Sequence, residues 1–96
     1  PADCVKRELL LIKVSVPPER RPEVESTASM MKVKVIDVGA SSVTCEMTGE
    51  PNKIDKFIEL MQPYGILELA RTGITALSRG EEILDDLKDY NEEISR

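Results

Sequence analysis

Histidine and tryptophan are absent from this chain, and its aromatic side chains amount to one Phe and two Tyr. Without histidine, the usual arrangements that move a proton near neutral pH or activate a nucleophile lack their central residue. The two cysteines, Cys4 and Cys45, stand far apart. They are too few for a disulfide framework and, with no histidine beside them, unsuited to a zinc or other transition-metal site. That usage points to a reducing cytoplasm. No apolar run approaches the length that spans a bilayer, and no signal-peptide pattern is present. No basic stripe interleaved with aromatics exists, so nucleic-acid binding has no electrostatic footprint.

What is present is 96 residues, the size of one domain, with a net charge of −5. A chain this short buries only about 60–65% of its unfolded surface, and its core must be built from Leu, Ile, Val and Met. Such a core is thin, which makes oligomerisation or a larger partner a natural source of further stability. The charge is uneven. Residues 1–78 hold 11 acidic and 10 basic side chains, whereas residues 79–96 hold seven acidic and three basic.

Arg7 to Val16 alternates as a strand, with Leu10, Ile12, Val14 and Val16 on one face and Lys13 and Ser15 on the other. Pro17-Pro18 ends it, because proline has no N–H to give a sheet ladder. A helix follows from about Glu19 or Arg20 to Met30, with Pro22 tolerated in its first turn and Val24, Ala28 and Met31 at helical spacing. Lys32 to Val38 reads as a second strand, Gly39-Ala40-Ser41 as a hairpin-sized connection, and Ser42 to Thr48 as a third strand with Val43, Cys45 and Met47 on one face. Asn52 is placed to cap a second helix to about Gln62, whose Ile54, Phe57, Ile58 and Met61 form an i, i+3, i+4, i+7 stripe. Pro63-Tyr64-Gly65 stops that helix. From Ile66 a last strand begins with Leu67 and Leu69 on one face. Its apolar phase then reverses across Arg71-Thr72-Gly73, so that Ile74 and Ala76 become the apolar positions. A glycine at a phase change suggests a bulge or tight bend that would display Arg71 and Thr72; a structural kink with no further role is the plainer reading.

The order β-α-β-β-α-β predicts an α+β, ferredoxin-like fold, a four-stranded antiparallel sheet with two helices on one face. Residues 81–96 add an acidic amphipathic tail, a third helix candidate with Ile83, Leu87, Tyr90 and Ile94 on one side. It reads equally as a docking helix or a charged, frayed tail.

Few residues carry chemistry. Glu81-Glu82 and Asp85-Asp86 belong to a solvated acidic face rather than to a catalytic pair. Arg20-Arg21 after the double proline fits an anion contact at a helix start or, more simply, a solvated helix entry. Met30-Met31 and Met61 suit core filling. Gly49-Glu50-Pro51 is a turn, because no glycine-rich run or Lys-Ser/Thr pair follows it. No catalytic, cofactor-binding or metal-binding residue is assigned.

Several stretches together resemble one family. They are Arg7-Glu8-Leu9 with Lys13-Val14, Arg20-Arg21-Pro22-Glu23, Val35-Ile36-Asp37-Val38, Glu46-Met47-Thr48-Gly49 and Lys53-Ile54-Asp55. The most specific is Tyr64-Gly65-Ile66 through Leu69-Ala70-Arg71-Thr72-Gly73, ending in Ala76-Leu77-Ser78-Arg79-Gly80. In register over about residues 6–80, these resemble the C-terminal domain of the small, regulatory subunit of acetolactate synthase (acetohydroxyacid synthase). The resemblance implies a non-catalytic domain that supports homodimerisation and activation of the large catalytic subunit in branched-chain amino acid synthesis. It places thiamine diphosphate, magnesium and FAD in that partner and none in this chain. The family's N-terminal ACT domain, which binds the feedback amino acid, usually valine, has no counterpart here. Residues 1–5 then read as a linker remnant, and the chain as a fragment or excised domain. For partner contact the expectation is Arg71, Thr72 and Gly73, with Arg79 beyond them. The other reading is a small-molecule (amino-acid) sensing ferredoxin-like or ACT-like domain of another regulator, its ligand held between paired sheets.

Overall fold

The computed structural model of the chain describes residues 4–78, with side chains described over residues 6–72. β1 (Cys4–Ser15) runs into a 3-10 turn at Pro18–Arg20 and α1 (Arg21–Met30); β2 (Lys34–Val38) and β3 (Ser42–Gly49) form a hairpin; α2 (Pro51–Met61), a second 3-10 turn at Gln62–Tyr64 and β4 (Ile66–Ser78) follow. The four strands form one sheet in the order β2-β3-β1-β4, with every neighbouring pair antiparallel. This is the ferredoxin-like βαββαβ arrangement that the element order predicts. The expected acidic tail helix, Arg79, and the boundary at residue 80 lie outside the described residues.

The two faces of the sheet follow from the period of two along each strand. Leu10, Ile12 and Val14 of β1 and Val43, Cys45 and Met47 of β3 turn to the helices and are buried with Val16, Val24, Ala28, Ile54, Phe57 and Met61. Each large side chain taken fully out of water contributes about 1.5–3 kcal/mol. α2 supplies Ile54, Phe57 and Met61 to this layer, whereas α1 supplies only Val24 and Ala28. Burial also pushes the Cys45 thiol up to about 11, so it is a neutral, unreactive core group. Leu9, Leu11, Lys13 and Ser15 alternate onto the opposite face, against which neither described α-helix packs.

Local chemistry sets the element ends. Pro51 occupies the first turn of α2, where its missing N–H costs nothing, and Glu50 takes the N-cap position with its carbonyl accepting from the N–H groups of Lys53 and Ile54. The helix therefore starts before Asn52, which does not cap it. At the end of α1, Val33 N–H donates to Ala28 C=O at 2.7 Å and Lys32 N–H to Ser29 C=O at 3.2 Å. That is a Schellman motif, closed by Lys32 at φ 59° where glycine is the usual residue. Gly65, at φ 103°, turns the chain from the second 3-10 turn into β4, and its carbonyl accepts from Ser15 N–H at 2.8 Å.

The expected bulge at Arg71-Thr72-Gly73 is not there. Leu10 faces Arg71, Leu9 faces Thr72 and Glu8 faces Gly73 in unbroken register. The irregularities fall on either side: one at Leu67, between the pairs Lys13↔Glu68 and Val14↔Ile66, and one between Ile74 and Leu77. The apolar phase is interrupted at residue 71 because a charged side chain takes a helix-side position, not because the strand gains a residue. β2 has its own shift between Val35 and Asp37, which leaves Ile36 as the extra residue of an edge strand.

Candidate partner-binding interface

The residues singled out on β4 separate in space. Arg71 lies opposite Leu10 and so projects on the helix-bearing side, whereas Thr72 lies opposite Leu9 and projects on the bare face. Gly73 continues the ladder with Glu8. The Arg71 guanidinium forms a fork with Glu8, Nε to Oε2 at 2.9 Å and Nη2 to Oε1 at 3.1 Å, while Nη1 reaches Asp55 Oδ1 at 2.6 Å. Hydrogen bonding to Glu8 first, and to Asp55 second, raises the guanidinium pKa further above its ordinary value. One arginine thus ties β4 to β1 and to the side of α2, at the solvent-facing rim of the core.

Arg20 and Arg21 are also engaged within the chain. Arg20 donates to both carboxylate oxygens of Glu23 at 3.2 Å, and its guanidinium carbon stands 4.6 Å from the centre of the Tyr64 ring. Tyr64 OH donates to Glu23 Oε1 at 3.1 Å. Arg20, then Tyr64, holds the Glu23 carboxyl below the usual range. Arg21 Nη2 donates to the Gly39 carbonyl at 2.9 Å, which fastens the β2–β3 turn to the start of α1.

The bare sheet face is organised in rows across the strands. One row runs Asp37, Thr44, Lys13, Glu68; the next runs Lys34, Glu46, Leu11, Ala70; the third runs Thr48, Leu9, Thr72. Lys13 Nζ meets Glu68 Oε2 at 2.9 Å, and hydrogen bonding to that carboxylate raises the lysine pKa, with Asp37 adding a smaller attraction. Leu11, Lys13, Asp37, Thr44, Glu68 and Ala70 line a shallow open trough of about 480 Å³. Among the described residues, no three His, Cys, Asp or Glu side chains gather as metal ligands, and no helix is long and apolar enough to cross a membrane.

Sequence reasoning missed Glu8 and Asp55. A signal existed for the first: Glu8 shares the phase of Leu10 and Ile12, and Arg71 shares the phase of Leu69, so one charge of each sign sits at helix-side positions of two strands. Asp55 adjoins the buried Ile54 but carries no sequence mark of its role.

Strand order and helix placement define an α+β ferredoxin-like domain. Residues 7–80 match the family described as the small subunit of acetolactate synthase. The chain is 47% identical over 78 residues to the acetolactate synthase small subunit of Bacillus subtilis, covering 81% of this chain and 45% of that protein. It is 45% identical over 85 residues to the probable acetolactate synthase small subunit of Methanothermobacter thermautotrophicus, covering 88% and 51%. The crystal structure of the acetolactate synthase small subunit from Thermotoga maritima superposes with a TM-score of 0.75 at 35% identity, covering 85% of this chain and 50% of that one. The chain belongs to the acetolactate synthase small-subunit family, and it spans about half the length of these relatives.

Proposed function

We propose that this chain is a non-catalytic regulatory domain of acetolactate synthase, which supports pairing of small subunits and activates the large, thiamine-diphosphate-dependent catalytic subunit in the synthesis of valine, leucine and isoleucine. The observation that carries this reading is the family match over residues 7–80, which takes in nearly the whole described fold. On this reading thiamine diphosphate, magnesium and FAD belong to the large subunit, and the complex works in the cytoplasm. The chain's part is contact: Thr72 on the bare face and Arg71 at the rim are positions that another chain would read, with Gly73 and Arg79 continuing the same stretch. The relatives do not favour the sensing domain of a different regulator.

Acetolactate formation by the cognate large subunit, with this chain titrated in and valine present or absent, tests the proposal. A saturable rise in rate that is indifferent to valine is expected. No change at any concentration would mean that this domain does not activate by itself.

A further inference from the structure

β1 and β4 outrun the rest of the sheet. The pairing of β1 with β3 ends at Glu8↔Gly49, just before the chain enters α2, whereas the pairing of β1 with β4 continues to Cys4↔Ser78. Residues 4–7 and 74–78 therefore form a two-stranded ribbon with no third strand beside it among the described residues. At about 3.3 Å per residue it reaches about 13 Å past the end of β3. Such a ribbon is weakly held and strongly twisted. This one also carries the register shift between Val5 and Arg7, which bends it further. Left alone, its direction would be poorly fixed.

The root of the ribbon is tied to α2 twice. On β1, Arg7 Nη1 stands 3.7 Å from Oε1 of Glu50, the N-cap residue of α2. On β4, Arg71 Nη1 holds Oδ1 of Asp55, in the second turn of α2, at 2.6 Å. The fork from Arg71 to Glu8 joins the two strands to each other, and Glu8 lies in the last row that β3 shares. Ion pairs this exposed add little to stability. What a forked guanidinium with a third contact does supply is a fixed geometry. Each of the three guanidinium nitrogens of Arg71 has a partner in its own chain, so Arg71 is arranged to act through what it holds rather than as a free cation.

We infer that the β1–β4 ribbon is the arm through which this domain engages the large subunit, and that Arg71 and Arg7 are positioning residues that set its angle on α2. The inference rests on the proposed function. It changes the part of Arg71 from a side chain read by the partner to one that aims the strand from Thr72 to Ser78. It also gives Asp55 and Glu50, which lie off the arm, a role in partner binding. The partner chemistry that fits is an extended backbone segment of the large subunit. Along residues 4–7 on the β3 side, and along the outer edge of β4, main-chain donors and acceptors meet no strand among the described residues.

Asp55→Asn cuts one tie to α2 and leaves the Arg71–Glu8 fork in place; Arg7→Gln cuts the other. Both replace exposed side chains, so the melting temperature is expected to stay within a few degrees of the parent's. Amide hydrogen exchange in the full chain is expected to quicken at least about threefold at residues 4–7 and 74–78 in either variant, and about tenfold in the two combined. The amides of Leu10, Ile12 and Val14 should keep their rates. In the acetolactate assay the concentration for half-maximal activation should rise in the same order, with the plateau rate unchanged. Asp55→Glu, which keeps the carboxylate, should restore both readouts. If the partner reads Arg71 directly, Asp55→Asn frees the guanidinium and leaves half-maximal activation unchanged or lower; that result would overturn the inference. Exchange rates equal to the parent's would overturn it too, because the ties would not be holding the arm. Exchange is measured on the chain alone, so failure there is distinct from failure of the proposed function. The latter shows as no activation by the unaltered chain and removes the arm's partner with it.

Discussion

Leu10 and Leu11 are neighbours on β1, yet Leu10 is fully buried beneath the helices and Leu11 keeps 39% of its surface exposed on the other side of the sheet. The same division runs through β3, where Val43, Cys45 and Met47 are buried while Thr44, Glu46 and Thr48 face outward. On the covered side, charged side chains among the described residues gather at the rim, as in the Arg71–Glu8–Asp55 and Arg20–Glu23–Tyr64 groups. On the bare side, charge sits within the face and is balanced across strands. The difference shows how one strand can serve two purposes. The covered face stabilises the fold through apolar burial, and the other face carries its charges in the open.

The largest expected effect tests that division directly. Leu10→Ala should cost about 2–5 kcal/mol, as a fully buried leucine leaves a cavity. Leu11→Ala should cost less than about 1 kcal/mol, since surface positions seldom cost more. Urea denaturation at a protein concentration where the chain is monomeric measures both. Equal losses would break the comparison, because the bare face would then be part of the core.

Two backbone positions on the returns from helix layer to sheet sharpen it, with opposite signs. Gly65→Ala should destabilise by about 1–3 kcal/mol, because φ 103° is closed to side-chain-bearing residues even though a methyl group there would stand at an ordinary 3.7 Å from Ser15 Cβ. Lys32→Gly should stabilise by about 0.5–1 kcal/mol, the relief of a left-handed lysine less the extra entropy of glycine in the unfolded chain. Thermal unfolding of both variants beside the parent reads the two shifts.

The smallest effect concerns the rim. The Glu23 carboxyl is lowered in the folded state from an ordinary value of 4.5 by Arg20 and then Tyr64. Its contribution to stability is present above about that pH and is lost as the pH falls through the folded value. Glu23→Gln should accordingly flatten the acid limb of the stability profile and leave the slope near neutrality unchanged. Urea midpoints measured from neutral pH down through that range would show it; an acid limb identical to the parent's would mean that the Arg20–Glu23–Tyr64 group contributes nothing.

The element order, the covered phase of β1 and β3, and the Ile54-Phe57-Ile58-Met61 stripe of α2 were legible in the sequence by itself, because each depends on side-chain spacing within a few residues along one strand or helix. The family was legible for a related reason: its distinctive residues are spread in register along most of the chain. Register and partnership were decided only in the tertiary structure. Nothing local announces that β4 gains a residue at Leu67 rather than at Gly73, since a bulge is a relation between two strands. Leu69 shares the row of the buried Ile12 and yet remains 43% exposed, for it lies on the outermost strand. Arg71 holds Glu8, 63 residues away, and Asp55, 16 residues away. The sequence marks such an arginine as charged and well placed; whether it faces another molecule or its own chain depends on distances that exist only once the sheet and α2 have come together.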